Sequence, residues 1–290
     1  MKGNIPVIPT PFVDGKIEYA DFDKLIDYTA AYLEGYVIGG STGEAPALTA
    51  EERIGIAKYF AKRVPDKHVV IGLGHTNLLE AIRIGQEAAD AGVRTALVPS
   101  PYYFPNSLEM VKSYIGELAL KTGLELVFYD NPVTTKTFYT AEQLIELAKA
   151  VPAIKAIKMT DHNMDKIRSL KQNPSLAVFG GDDIICFRAF EAGIDGNMII
   201  APIIYPEAFK ACWDLFTNGQ RGESFEIFSQ TILPFIHMFG PGDEIPTTKA
   251  LLSHLGIFKS AETRLPLLPS NERRVRETLL GYRSGLGELI

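Results

Sequence analysis

Eight short, β-branched and nearly uninterrupted apolar runs alternate with longer stretches whose apolar residues recur at helical spacing, and this alternation most narrows what the chain can fold into. The runs are Ile5–Pro9, Tyr36–Gly39, Val69–Leu73, Thr95–Pro99, Leu124–Tyr129, Ile154–Met159, Leu176–Gly180 and Gly196–Ile200. Unbroken apolarity over so few residues is how strands covered on both faces of a parallel sheet read. The intervening segments Asp21–Leu33, Thr49–Arg63, Asn77–Ala91, Ser107–Thr122, Thr140–Val151 and Met164–Gln172 have the 3.6-residue period of helices. Two of them open on capping signatures, Thr49-Ala-Glu-Glu and Thr140-Ala-Glu-Gln. Eight such units in series suit a closed (β/α)8 TIM barrel better than a doubly wound sheet, which usually stops at roughly five to seven strands.

A chain of 290 residues with 46% hydrophobic content is long enough for one such barrel. Past Pro206 strand signals cease. Helical patterns continue at roughly Glu207–Thr217, Gly222–Met238, Ile245–Leu255 and Ser270–Arg283. The expected organisation is therefore a barrel over residues 1–220, with residues 221–290 as a C-terminal helical extension packed on it.

Composition excludes several partners. A formal net charge of −6 does not suit a protein that neutralises nucleic-acid phosphates. Cys186 and Cys212 form neither a CxxC pair nor a zinc spacing and read as reduced core residues. The scattered His68, His75, His162, His237 and His254 supply no pair with metal-site spacing, so neither metal nor cofactor is expected. Pro6, Pro9 and Pro11 interrupt the amino terminus before a signal segment can form, and no run reaches membrane-spanning length. A cytoplasmic location is expected.

Barrel enzymes assemble their sites at the carboxyl ends of the strands, so polar residues ending apolar runs carry the functional reading. Alternation along Ile154–Met159 places Lys158 on the face of Ile154 and Ala156, toward the barrel interior, and Lys155 on the other face. A desolvated amine is a carbonyl nucleophile at neutral pH; the competing reading is a lysine paired with a carboxylate at the barrel mouth. Tyr129 ends the fifth run on the face of Val127, where a phenol can relay protons or merely pack. Gly39-Gly40-Ser41-Thr42-Gly43-Glu44 follows the second run. It can cradle a carboxylate or serve as a plain turn, and it has neither P-loop nor GxGxxG spacing. Pro101-Tyr102-Tyr103-Phe104-Pro105 and Gly180-Gly181-Asp182-Asp183 complete the rim.

In order and strand position, these residues resemble the dihydrodipicolinate synthase and N-acetylneuraminate lyase family over essentially the whole chain. Gly40 to Glu44 looks like the family's GxxGE carboxylate loop, Tyr129-Asp130-Asn131-Pro132 like its YNxP motif, and Ala156-Ile157-Lys158 like its Schiff-base segment. The resemblance implies a lyase in which Lys158 condenses with the 2-oxo carbon of pyruvate, Tyr129 relays protons, and Ser41 links Tyr129 to Tyr103. It implies that Thr42 and Gly43 hold the substrate carboxylate, that the turn from Gly180 to Asp183 and the backbone at Met198 border the pyruvate pocket, and that Tyr103 reaches into a neighbouring subunit of a homotetramer. One departure bears on the second substrate: Thr134 stands where lysine-pathway synthases carry a carboxylate-gripping arginine, with Lys136 two positions on. The resulting expectation is an aldolase or dehydratase of 2-keto-3-deoxy sugar acids, the alternative being a 4-hydroxy-tetrahydrodipicolinate synthase that uses aspartate semialdehyde.

Overall fold

In the computed structural model, which describes residues 1–239 and 242–287, the eight apolar runs form a single parallel sheet. Its strands are β1 (Gly3–Asn4), β4 (Gly35–Ile38), β5 (His68–Gly72), β6 (Thr95–Pro99), β7 (Glu125–Asp130), β8 (Ile154–Met159), β9 (Ala177–Gly180) and β10 (Gly196–Asn197). The order β1-β10-β9-β8-β7-β6-β5-β4 returns on itself through a parallel bridge between Val7 and Val37, so the sheet is a TIM barrel. Helices over Ala50–Arg63, Leu78–Asp90, Leu108–Thr122, Ala141–Ala150 and Met164–Lys171 flank it. Both anticipated capping boxes are made, Thr49 with Glu52 and Thr140 with Gln143.

The first run is not the continuous strand Ile5–Pro9. Pro6 and Pro9 have no N–H to donate, so the regular ladder stops at Asn4 and pairing continues through the amides of Ile5 and Val7, to Asn197 and Ile199, and through Pro6 O, which accepts from Val37 N–H. The last run is shorter than Gly196–Ile200, because Ile200 already begins the helical turn Ala201–Ile204. Buried Val70, Ile71, Leu97, Val127, Phe128, Ile157 and Phe179 form the strand core. Each fully buried side chain of this kind contributes about 1.5–3 kcal/mol.

The chain divides into two compact units. One comprises residues 1–7 and 34–199, with the barrel strands and the flanking helices named above; the other comprises residues 8–33 and 200–290. The boundary at 220 read from sequence falls inside the second unit. That unit contains a hairpin that the sequence reading passed over, β2 (Phe12–Val13) and β3 (Lys16–Ile17), whose Asp14 and Gly15 take the positive φ values of 50° and 72° that a tight turn requires. Gly222–Met238 is not one helix. It runs as Arg221–Ile227, a π-turn at Phe228–Ile232 and Leu233–Ile236, because Pro234 withholds a ladder hydrogen bond. No described helix is long and apolar enough to cross a membrane.

Candidate active site

The carboxyl ends of β4, β7, β8 and β9 carry the polar residues singled out from sequence, all in the first unit. Lys158 is 3% exposed, and Lys155 lies outward in solvent. Tyr129 and Lys158 are register partners, and the Lys158 amine lies 4.3 Å from the centroid of the Tyr129 ring. A register shift makes them so: Leu126 pairs with Ile154 but Val127 pairs with Ala156, leaving Lys155 as the extra residue. Ala156 therefore shares the face of Lys158, whereas Ile154, expected on that face, follows Leu126 to the other side.

Burial strips water from the Lys158 ammonium and pushes its pKa from 10.5 down to about 7, against the opposing charges of Asp183 and Asp182. Both carboxylates act through space; no carboxylate of the described residues forms a salt bridge with this lysine. About half of such an amine is free at neutral pH. The Tyr129 hydroxyl is pushed the other way, up to about 12, chiefly by burial; hydrogen bonds with Asn131, Thr160 and Ser41 oppose that rise, and the Asp182 charge adds to it. The phenol thus stays protonated near neutrality, beside two hydroxyls, of Ser41 and Thr160, that can pass a proton.

The loop after β4 closes on itself, with Glu44 N–H donating to Ser41 O at 3.0 Å and Ala45 N–H to Gly40 O at 3.1 Å. A side chain at Gly43 would stand 3.0 Å from Gly39 N, so the turn requires a residue without a Cβ there. Thr42 is buried in this loop and Ser41 is exposed beside Tyr129. A cavity of about 120 Å³ lies next to it, lined by Gly40, Ser41, Tyr102, Tyr129, Asn131 and Thr134 among others.

Asn131 caps the helical turn Pro132–Thr135 by accepting from Thr134 N–H at 3.3 Å, which places Thr134 on the cavity wall. Lys136 takes the left-handed conformation at φ 56°, is exposed, and is not among the lining residues. Tyr103 is 87% exposed at φ 93°, its ring edge-on to Phe104 at 5.1 Å; the link to Ser41 is not made within one chain, and Tyr102 lines the cavity instead.

Gly180 and Met198 are joined by the Met198 N–H, which donates to Gly180 O at 2.8 Å. A side chain at Gly180 would point at Asn197 and Ile194, whereas one at Gly181 would stand 2.8 Å from Lys158 Cε. Gly181 therefore leaves room for the lysine stem, a role the sequence reading did not assign. Thr160 was also missed as a neighbour of the reactive pair, whereas Asn131 and Asp182 stood in the expected motif and turn without a role toward Tyr129. The available signal was parity, since Thr160 lies two residues beyond Lys158 on the same strand course.

Residues 1–279 match the sequence model of the Dihydrodipicolinate synthetase family. A 4-hydroxy-tetrahydrodipicolinate synthase of Hydrogenobaculum sp. (strain Y04AAS1) is 29% identical over 97% of this chain and 99% of its own length. One from Bacillus velezensis is 30% identical over 93% and 94%. Among solved structures, the dihydrodipicolinate synthase of Thermotoga maritima superposes with a TM-score of 0.93 at 22% identity, covering 100% of this chain and 99% of that one. CdNal from Clostridium difficile, solved with mannosamine, gives 0.88 at 22% identity over 98% of each chain.

Proposed function

This chain belongs to the dihydrodipicolinate synthetase family and is an enzyme of the class I aldolase type, and we propose that it acts through an imine between Lys158 and pyruvate. The observation that carries this reading is a buried lysine without a salt-bridge partner among the described residues, its pKa pushed down to about 7, alongside Tyr129 at the strand ends. The free amine attacks the 2-oxo carbon. The resulting carbinolamine loses its hydroxyl as water with a proton supplied through Tyr129. Loss of a methyl proton from the imine then gives the enamine, whose carbon bonds to an aldehyde carbonyl; the reverse sequence cleaves that bond. Thr42 and the Gly43 backbone hold the pyruvate carboxylate, and Gly180 and Met198 border it. Trapping with borohydride in the presence of pyruvate is expected to leave one pyruvate-derived adduct, located on Lys158 by peptide mapping. An adduct on Lys155, or none, would overturn the assignment.

For the second substrate, Thr134 supports a neutral hydroxylated aldehyde, as in cleavage or dehydration of 2-keto-3-deoxy sugar acids. It offers one hydroxyl at the cavity wall, and Lys136 is not there to supply a cation. Loss of a charge-assisted bond worth about 1.5–3 kcal/mol lowers selectivity for a charged aldehyde by roughly 10- to 150-fold. The names of the curated relatives favour a second reading, condensation with aspartate semialdehyde. Steady-state kinetics decide between them: kcat/KM is expected to be higher for glyceraldehyde than for aspartate semialdehyde, and the opposite order establishes the second reading.

The exposure and strained backbone of Tyr103 support its reaching a neighbouring subunit's site, within a homotetramer in the cytoplasm. Mixing Tyr103→Phe and Lys158→Ala subunits tests this. Partial recovery of activity in the mixture is expected if the site is shared.

A further inference from the structure

The strand course of β8 continues past its last residue, since Thr160 N–H still donates to Asp130 O at 3.2 Å. Lys158 and Thr160 therefore share a parity; the chain then bends at Asp161 and His162, with Asp161 bonding Lys166 Nζ at 2.8 Å. His162 Nε2 lies 3.0 Å from Asp182 Oδ2. Asp182 is the carboxylate whose charge acts on both the Lys158 amine and the Tyr129 phenol. A half-exposed imidazole is thus joined to the reactive pair through one carboxylate.

His162 also lines a cavity of about 480 Å³ with Asn163, Asp165, Arg168, Arg188 and Glu191. The cavity beside Tyr129 is smaller, about 120 Å³, and combines glycine, proline, alanine and leucine with the uncharged polar side chains of Ser41, Tyr102, Tyr129, Asn131, Thr134 and Thr135. A chain bearing several hydroxyls needs donors and acceptors along its length, and the His162 side adds the charged ones.

Resting on the imine reading above, we infer that His162 is a specificity-determining residue for the second substrate. The imidazole, oriented by Asp182, binds a hydroxyl of the aldehyde and directs the polyhydroxylated chain toward the larger, polar cavity. With Nε2–H donating to Asp182, Nδ1 accepts the hydroxyl proton.

The test compares kcat/KM for glyceraldehyde and erythrose with that for their deoxy counterparts propanal and butanal, pyruvate being the partner throughout. Wild-type protein is expected to favour the hydroxylated member of each pair. In His162→Ala that preference falls about 3- to 10-fold, the loss of one hydrogen bond, through the hydroxylated substrates alone. His162→Gln, which can still donate to Asp182 and accept a hydroxyl proton, restores part of it. An unchanged ratio in His162→Ala overturns the inference, as does an equal fall for both classes, or a wild type with no preference for hydroxyls. Borohydride trapping of pyruvate on wild-type Lys158 is read separately: its failure defeats the imine reading, whereas its success beside an unchanged ratio defeats only the role of His162.

Discussion

Two lysines eight positions apart are both buried in the barrel unit, and they have opposite fates. Lys166 is 7% exposed and held by two carboxylates, Asp130 Oδ2 at 2.5 Å and Asp161 Oδ2 at 2.8 Å. Lys158 is 3% exposed and has no such partner among the described residues. Burial by itself therefore does not make a lysine reactive. Compensation keeps one a structural cation, and its absence leaves the other an amine that sheds its proton near neutrality. Asp130, standing where the family motif has asparagine, belongs to the structural half. Burial raises its pKa and the Lys166 ammonium opposes the rise.

The sharpest way to break this contrast is to remove each amine in turn. Lys158→Met is expected to lower turnover by about 10⁴-fold or more, the scale on which a covalent nucleophile is missed, in a protein that remains folded. Steady-state assays beside circular dichroism measure both, and residual turnover within tenfold of wild type would show that another amine does the chemistry.

Tyr129→Phe comes next, with turnover slowed by roughly 10²- to 10⁴-fold because a positioned proton donor is lost while the ring remains. Near-normal rates in the folded variant would reduce Tyr129 to a packing residue.

Stability should separate the two lysines by sign. Lys166→Met leaves Asp130 and Asp161 without their cation and is expected to lose about 3–5 kcal/mol in urea denaturation. Lys158→Met removes a desolvated charge that Asp182 and Asp183 offset only in part and is expected to gain on the order of 2–4 kcal/mol at pH 7. The folded pKa of Lys158 lies below its unfolded value, so between about 7 and 10.5 the unfolded chain holds the additional proton and wild-type stability rises with pH. The deficit is full below that window and absent above it, so the gain in Lys158→Met should fade toward pH 10.5. Equal losses in both variants would erase the distinction.

The smallest effect is kinetic. Imine formation with pyruvate should rise with pH up to about 7 and then level off, because only the free amine attacks. Below the break the rate falls about tenfold per pH unit. A break near the ordinary lysine value would place Lys158 in contact with solvent.

The barrel was legible because its strands are apolar on both faces and its helices carry their own caps; neither signal needs a partner to be read. The second unit was less legible. Its hairpin rests on one Asp-Gly turn between two-residue strands, and its π-turn is a local response to Pro234 within an otherwise helical pattern. At the site, strand-end position marked Lys158 and Tyr129. Gly181, Thr160 and His162 were not assigned roles, because each matters through a neighbour brought alongside by the sheet: Gly181 by room for the Lys158 stem, Thr160 by its bond to Tyr129, His162 by its bond to Asp182.

The sequence by itself determined the alternation that makes a barrel, the residue types at its strand ends, and the absence of a cationic fork at Thr134, all of them properties of local order along the chain. Only the tertiary structure decided which of these two buried lysines would be left without a salt bridge among the described residues. The register shift at Lys155 sets Lys158 beside Tyr129, and the helix Met164–Lys171 carries the Lys166 amine to Asp130 at the end of β7. Desolvation and charge compensation depend on distances between residues far apart in the chain, and these exist only once the sheet has closed.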